Sequence, residues 1–347
     1  MSKLTIRGNL KNKSNSNEVL IDKRAYRIFK YWQKQGFPYY KSDKKFRQDE
    51  FDKFMKIDDK LNLDFNNKGF KFHNGGLSLA WSYHPHAFKV QCNNNRSPYD
   101  VFNSEERFTL AIRKALKGSF FKKQSYEDLM SSTDKCRESI RGYLRRVSGS
   151  QMVSNFRPVT ASALYKLFCE EEDTVWDMSC GWGGRLLASI KSNINYIGTD
   201  PNTTTMKGLK EMARTFGNKA RSYELLTMGS EDYKPKKNSL DFAFTSPPYF
   251  DTERYSNEKT QSYLKYSNID SWKDKFLRKT IDNVYRGLKN NKFMALNVAD
   301  VRNYSTFEKD TVDIAESVGF KLVDTFDLIL SSQQSDQKSE PIFIFKK

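Results

Sequence analysis

Phe244-Thr245-Ser246-Pro247-Pro248-Tyr249-Phe250 is the stretch on which the reading of this 347-residue chain turns. It follows an apolar run, Leu240 to Phe244, that reads as a short buried strand. Two consecutive prolines stop that strand, because neither donates to a ladder and each restricts the residue before it. The outcome is a stiff turn gathering the Ser246 hydroxyl, backbone carbonyls and the Tyr249 ring at a strand's carboxyl end. Open α/β sheets bind their ligands there. An ordinary strand-ending turn reads the same way, so the surroundings decide.

Upstream, Thr174-Val175-Trp176-Asp177 reads as a strand and runs into Met178-Ser179-Cys180-Gly181-Trp182-Gly183-Gly184, with a helix from Arg185. Glycines at a strand-to-helix turn let backbone approach a ligand closely. The next strand, Asn195 to Thr199, ends in Asp200. An acid about 20 residues beyond a glycine turn is placed to hydrogen-bond a ribose diol, though a helix-capping aspartate fits the same position. No phosphate-binding lysine follows the glycines, which favours a nucleoside without a triphosphate.

Further elements alternate. A helix near 205–216 leads to a third strand, about 220–227, and to Gly229-Ser230-Glu231-Asp232. After the Ser-Pro-Pro-Tyr turn come a helix over 271–288 and a strand at 293–298. A helix over 310–318 and strands at 321–326 and 342–345 follow. Strand–helix alternation over 151–347 predicts a parallel, doubly wound α/β sheet of seven strands.

Residues 1–150 differ in kind. They carry 31 Lys and Arg against 16 Asp and Glu, whereas the rest carries 28 against 26. This half reads as a flexible arm over 1–20 and a basic, mainly helical domain over 21–150. Ala25, Ile28, Phe29 and Trp32 define one helix face; Lys23, Arg27, Lys30 and Lys34 recur on another. A second helix runs from Asn103 or Ser104 to Leu116, with Phe108, Ile112 and Ala115 inward. A third starts near Ser125, where Asp128 completes a capping box. Beyond it, Cys136, Ile140, Tyr143, Leu144 and Val147 make an apolar stripe beside Arg137, Arg141 and Arg145. Residues 60–103 read as irregular or short β structure. Basic residues interleaved with aromatics point to a polyanion, nucleic acid above others, although a solvated surface carries the same pattern.

Composition bounds the rest. With 37% hydrophobic residues and a mean hydropathy of -0.76, the chain builds a core and predicts no membrane span. The stretch after Met1 has no apolar signal segment, and Cys92, Cys136, Cys169 and Cys180 lack CxxC or zinc-finger spacing. Both suggest free thiols in a cytoplasmic protein. His84-Pro85-His86 has only Cys92 near it, so no metal is expected.

Taken in order, these motifs resemble the amino-methylating DNA methyltransferases, over about residues 151–347. Thr245 to Tyr249 resembles that family's Asp/Asn/Ser-Pro-Pro-Tyr loop, and Asp177 to Gly183 its Asp-Pro-Phe-x-Gly-x-Gly loop, departing at Met178 and Ser179. Ser154-Asn155-Phe156-Arg157-Pro158 is similar to its remaining cofactor segment, and Glu340 to Phe345 to its last strand. The resemblance implies a Rossmann-like, seven-stranded class I methyltransferase sheet and transfer of a methyl group from S-adenosylmethionine to cytosine N4 or adenine N6. It implies DNA modification of the restriction–modification kind. It implies cofactor binding by Phe156, Arg157, Pro158, Asp177, Ser179, Cys180, Gly181, Gly183, Asp200, Pro201, Glu231 and Asp232, and catalysis by Ser246, Pro247, Pro248 and Tyr249.

The chemistry suits the turn. An exocyclic amine is a poor nucleophile because its lone pair is delocalised into the ring. Acceptors on Ser246 and the Pro247 carbonyl hold the amino hydrogens, and Tyr249 stacks on a base that duplex DNA must extrude. Only about 20 residues separate Phe250 from the helix at Ser271, too few for a recognition domain. Substrate contacts are therefore expected from Tyr249 and Phe250 and from Lys23, Arg27, Lys30, Lys34, Arg137, Arg141 and Arg145. A C5-cytosine mechanism needs a Pro-Cys loop, which the chain lacks. RNA in place of DNA, or a nucleic-acid-binding protein without turnover, remain as alternative readings.

Overall fold

The computed structural model describes residues 3–64, 68–118, 123–331 and 338–347, with residues 3–15 and 61 described by backbone alone. It divides into two units: residues 1–39 with 87–153, and residues 40–86 with 154–347.

The first unit is helical. A helix over Lys3–Gln35 reaches further toward the N-terminus than the sequence suggests, taking in most of the expected arm. Its Ala25, Ile28, Phe29 and Trp32 are buried, as the periodicity predicts. Phe29 packs on Phe108 of the helix Glu105–Lys117 with ring centroids 5.4 Å apart. Trp32 Nε1 donates to the Leu129 carbonyl at 2.9 Å, pairing its one polar atom. Ser104 and Thr133 cap the helices Glu105–Lys117 and Asp134–Arg146, each accepting a backbone N–H. The Ser125 cap opens only the short helix Tyr126–Leu129, and the Cys136–Val147 stripe belongs to the next helix.

The second unit is a mixed α/β fold. Its nine sheet strands, among the described residues, are β1 (Leu63–Asp64), β2 (Gly69–Phe70), β3 (Thr174–Asp177), β4 (Asn195–Thr199), β5 (Tyr223–Leu226), β6 (Leu240–Thr245), β7 (Leu288–Asn297), β8 (Lys321–Ile329) and β9 (Ser339–Lys346). Their order is β1-β2-β8-β9-β7-β6-β3-β4-β5. Strands β7, β6, β3, β4 and β5 run parallel, and β9 enters antiparallel between β7 and β8.

Two findings correct the sequence reading. The sheet has nine strands because β2 pairs with β8 through Gly69↔Asp327 and Phe70↔Leu328, with β1 beside it. The boundary also lies elsewhere. Residues 40–86 belong to the sheet unit because their apolar side chains are spent there: Phe54, Leu79 and Tyr83 pack with Leu187, Tyr196 and Leu209. Buried Asp59 fastens this segment by accepting from Ser162 Oγ at 2.8 Å and Lys191 Nζ at 2.8 Å.

Strand β6 is buried along its whole length, the mark of a central parallel strand covered on both faces. Side chains alternate between the faces. Phe242 and Phe244 join Ala295, Ile342, Ile344 and the helix Pro158–Phe168. Ala243 joins Met294, Leu296 and the helices Lys279–Gly287 and Phe307–Val318 on the other face. The chain passes from β3 outward to β5, then returns to β6 on the other side of β3. That reversal opens a crevice at the carboxyl ends of β3 and β6.

Candidate active site

Asp177, at the end of β3, is fully buried and fully engaged. Its Oδ2 accepts from Arg185 Nε at 2.7 Å and from the Tyr196 hydroxyl at 2.6 Å. Its Oδ1 accepts from the Thr245 hydroxyl at 2.9 Å and the Ser179 N–H at 3.3 Å. One carboxylate thereby ties the ends of β3 and β6 to the Tyr196 side chain, which rises from the start of β4. Burial disfavours the Arg185 charge, but the neighbouring Asp177 more than offsets this and holds its pKa above the usual guanidinium value. Among the predicted cofactor residues Asp177 is thus a structural pin, with its lone pairs already occupied.

Thr245 links the two signature stretches directly, since its hydroxyl also accepts the Ser179 N–H at 3.0 Å. Gly181 and Gly183 take φ of +49° and +83°, values that glycine adopts without strain. Gly184 is needed for a different reason: a Cβ there would lie 1.9 Å from the Phe156 carbonyl oxygen. Asn155 Nδ2 donates to the Trp182 carbonyl at 3.2 Å. The Ser154–Pro158 segment therefore lies on the glycine turn. Arg157, however, turns away from it, donating to the Ile329 carbonyl and lying over the Phe72 ring. Burial lowers its pKa to about 10.

Asp200 differs from Asp177. Oδ2 accepts the Gly181 N–H at 3.1 Å and Oδ1 the Asn202 N–H at 2.8 Å, leaving lone pairs on both oxygens. Burial pushes its pKa up to about 6, against the pull of those two N–H groups. Cys180 is a buried free thiol whose N–H donates to the Thr199 carbonyl. Pro201 accepts from the Thr260 hydroxyl, and Glu258 receives the Thr203 N–H and hydroxyl, so the segment after the Ser-Pro-Pro-Tyr turn is strapped to the end of β4. Glu231 is buried, with Oε1 held by Lys265 and the Tyr266 hydroxyl and Oε2 without a partner. Asp232 is more exposed and pairs with Lys265 at 2.8 Å.

In the Ser246–Tyr249 turn, Pro247 is buried, while Ser246, Pro248 and Tyr249 are half-buried. The Tyr249 ring meets Phe307 edge-on at 5.2 Å, and Phe250, at φ +50°, meets Trp272 at 6.1 Å. Burial, and then the charge of Glu340, hold the Tyr249 phenol well above its ordinary pKa. His84 and His86 pack their rings on Trp182 at 5.8 and 5.3 Å, and His86 Nε2 bonds the Thr205 hydroxyl at 3.0 Å.

In the helical unit Lys23, Arg27, Lys30 and Lys34 are exposed along one helix. The arginine row does not survive intact. Arg141 is buried and donates to the carbonyls of Pro38 at 2.8 Å and Tyr39 at 3.4 Å, and Arg137 also reaches Tyr39. Carbonyls left open where the first helix ends claim these guanidinium groups, so Arg141 leaves the set of surface contacts.

Sequence reasoning missed Arg185, Tyr196 and the linking role of Thr245. A signal existed for the first: a cation in a helix's opening turn opposes the macrodipole and calls for a buried anion nearby.

No protein-family model matches the chain, and a comparison with curated proteins finds no match. Solved structures similar to it include a SAM-dependent methyltransferase from Methanosarcina mazei, 16% identical, covering 53% of this chain and 96% of that one, with a TM-score of 0.37. A TehB-like SAM-dependent methyltransferase from Corynebacterium glutamicum is 13% identical, covering 56% and 89%, with a TM-score of 0.36. A SAM-dependent O-methyltransferase from Thermotoga maritima is 13% identical, covering 56% and 67%, with a TM-score of 0.39. At such similarity the fold is read from strand order and register alone, and the chemistry from its own residues.

Proposed function

We propose that this chain is a DNA amino-methyltransferase that methylates cytosine N4 or adenine N6 at the expense of S-adenosylmethionine. The observation that carries the reading is the direct bond between its two signature stretches, Thr245 hydroxyl to Ser179 N–H and to Asp177. A turn rich in acceptors and a turn of glycines thus open onto one crevice.

The residues fit a nucleoside-bearing donor. Gly181 and Gly183 bring backbone close without a Cβ, Asp200 retains lone pairs for a ribose diol, and Glu231 retains a buried oxygen for an amine. S-adenosylmethionine, when bound, supplies an electrophilic methyl group on a sulfonium. The chain's own work lies in orientation. Ser246 and the Pro247 carbonyl hold the hydrogens of the target amine, so its lone pair points at the methyl carbon. Tyr249, propped edge-on by Phe307, offers a ring face to the base. Positioning of this kind accounts for much of the rate such sites achieve.

DNA as acceptor is favoured by charge. The helical unit holds 22 Lys and Arg against 9 Asp and Glu, a higher ratio of basic to acidic residues than in the first 150 residues taken together. Transfer of tritiated methyl groups to DNA tests the reading, with Ser246→Ala and Tyr249→Ala as controls. Each variant is expected to lose 100-fold or more, about 3 kcal/mol of transition-state stabilisation. Wild-type rates in both would sink the assignment, and greater transfer to RNA than to DNA would move the substrate.

A further inference from the structure

The proposed reaction needs a proton acceptor that the catalytic turn does not provide. Ser246 stands where a carboxylate is an alternative, so the turn itself is neutral. Three other carboxylates of the crevice already have tasks: Asp177 is fully bonded to Arg185, Tyr196, Thr245 and Ser179, while the spare acceptors of Asp200 and Glu231 are assigned by the proposed function to the donor.

A fourth lies at the same edge. Strand alternation puts Ser246 on the face of Phe244, Asn297 on the face of Ala295, and Glu340 on the face of Ile342. Phe244, Ala295 and Ile342 share one core cluster, under the helix Pro158–Phe168. Strands β6, β7 and β9 are successive neighbours and Ile342 stands opposite Asn297, so Glu340 lies one same-face position beyond Asn297 at the carboxyl edge, beside the turn that Ser246 opens. Asn297 is buried there, donates to the Pro341 carbonyl at 3.1 Å, and its side chain also bonds Glu340.

We infer that Glu340 is a catalytic residue of the proposed transfer, taking the proton that the methylated amine must lose. As the amine nitrogen bonds the methyl carbon, the carbon–sulfur bond breaks with its electron pair staying on sulfur. The nitrogen then carries a positive charge and an extra proton. Glu340 accepts that proton, leaving a neutral methylamino base and a neutral thioether.

The surroundings suit the task. Tyr249 from the turn, Asn297 from β7, Arg157 from the helix entry and Glu308 from the helix Phe307–Val318 face the carboxyl group. Burial outweighs Asn297 and Arg157 and raises the Glu340 pKa, which makes it a better base than an exposed carboxylate. Arg157 is buried, its Nη1 has no hydrogen-bond partner, and its charge acts on Glu340, so the protonation change occurs beside a fixed cation.

The inference rests on the proposed function, and the test separates the two. Single-turnover methyl transfer to duplex DNA is followed against pH for wild type, Glu340→Gln and Glu340→Asp. Calorimetric S-adenosylmethionine affinity and melting temperature are measured alongside. The expected result is a rate about 100-fold lower in Glu340→Gln, with donor affinity and melting temperature unchanged. The wild-type rate falls at low pH as the carboxylate is protonated. That acid limb disappears in Glu340→Gln and persists in Glu340→Asp. A Glu340→Gln enzyme that keeps wild-type rate and limb overturns the inference while leaving the function standing. A loss explained by weaker donor binding or lower melting temperature, with the limb intact, overturns it too. No methyl transfer by the wild type to DNA or RNA removes the proposed function and this inference together.

Discussion

Two aspartates close neighbouring strands of one sheet, and the structure uses them in opposite ways. Asp177 spends both oxygens on Arg185, Tyr196, Thr245 and Ser179. Asp200, one strand over, accepts only two backbone N–H groups and keeps capacity in reserve. Sequence position assigned both to ligand binding; their hydrogen bonds divide them into a pin and an acid with acceptor capacity to spare. A signature acid is therefore known by what remains unpaired on it.

Removing the pin is the most damaging way to probe the contrast. Asp177→Ala leaves Arg185 as a buried charge without its carboxylate, which costs about 3–5 kcal/mol, read by urea unfolding. Asp200→Asn is expected to shift the melting temperature by less than about 3 °C and to abolish tight nucleoside binding. Equal destabilisation by the two would erase the distinction. The glycine turn gives the next effect. Gly184→Ala sets a methyl group against the Phe156 carbonyl, 1.9 Å from it, and is expected to cost about 1–3 kcal/mol and donor affinity together.

Proton linkage sharpens the Asp200 side. Burial pushes the Asp200 pKa up to about 6, and on the proposed function only its ionised form would accept both hydroxyls of a ribose diol. Calorimetric affinity for S-adenosylmethionine should be flat above that value and fall toward about tenfold per pH unit below it. In Asp200→Asn the weak affinity that remains is expected to be independent of pH over this range. The smallest expected effects lie in the helical unit. Exposed Lys23 and Arg27, changed to Ala, should each weaken DNA binding modestly and reduce the salt slope by about 1. Arg141→Ala should instead lower thermal stability, because its guanidinium holds the Pro38 and Tyr39 carbonyls.

The strands were legible because buried parallel strands read as short apolar runs closed by Gly, Pro or Asp, as at Val175-Trp176-Asp177 and Phe242-Ala243-Phe244. The glycine and Ser-Pro-Pro-Tyr turns were legible because unusual backbone demands unusual residues. Long-range choices were not. Nothing local in Gly69-Phe70 says that two residues will extend a sheet beside β8, since pairing depends on a partner some 258 positions away in Asp327. Nor does an i+4 arginine spacing distinguish Arg141, turned onto carbonyls 102 and 103 residues distant, from a solvated neighbour. The segment 40–86 was misplaced for the same reason: Phe54 and Leu79 announce burial without saying against what.

The Asp177 knot has one more implication. Because a single carboxylate fastens two strand ends, a third strand and the helix after the glycine turn, the glycine turn and the Ser-Pro-Pro-Tyr turn form one block, fixed when the chain folds. On the proposed function, alignment of the two reacting partners would then be inherited from folding, and each encounter would have only to fill a geometry already set.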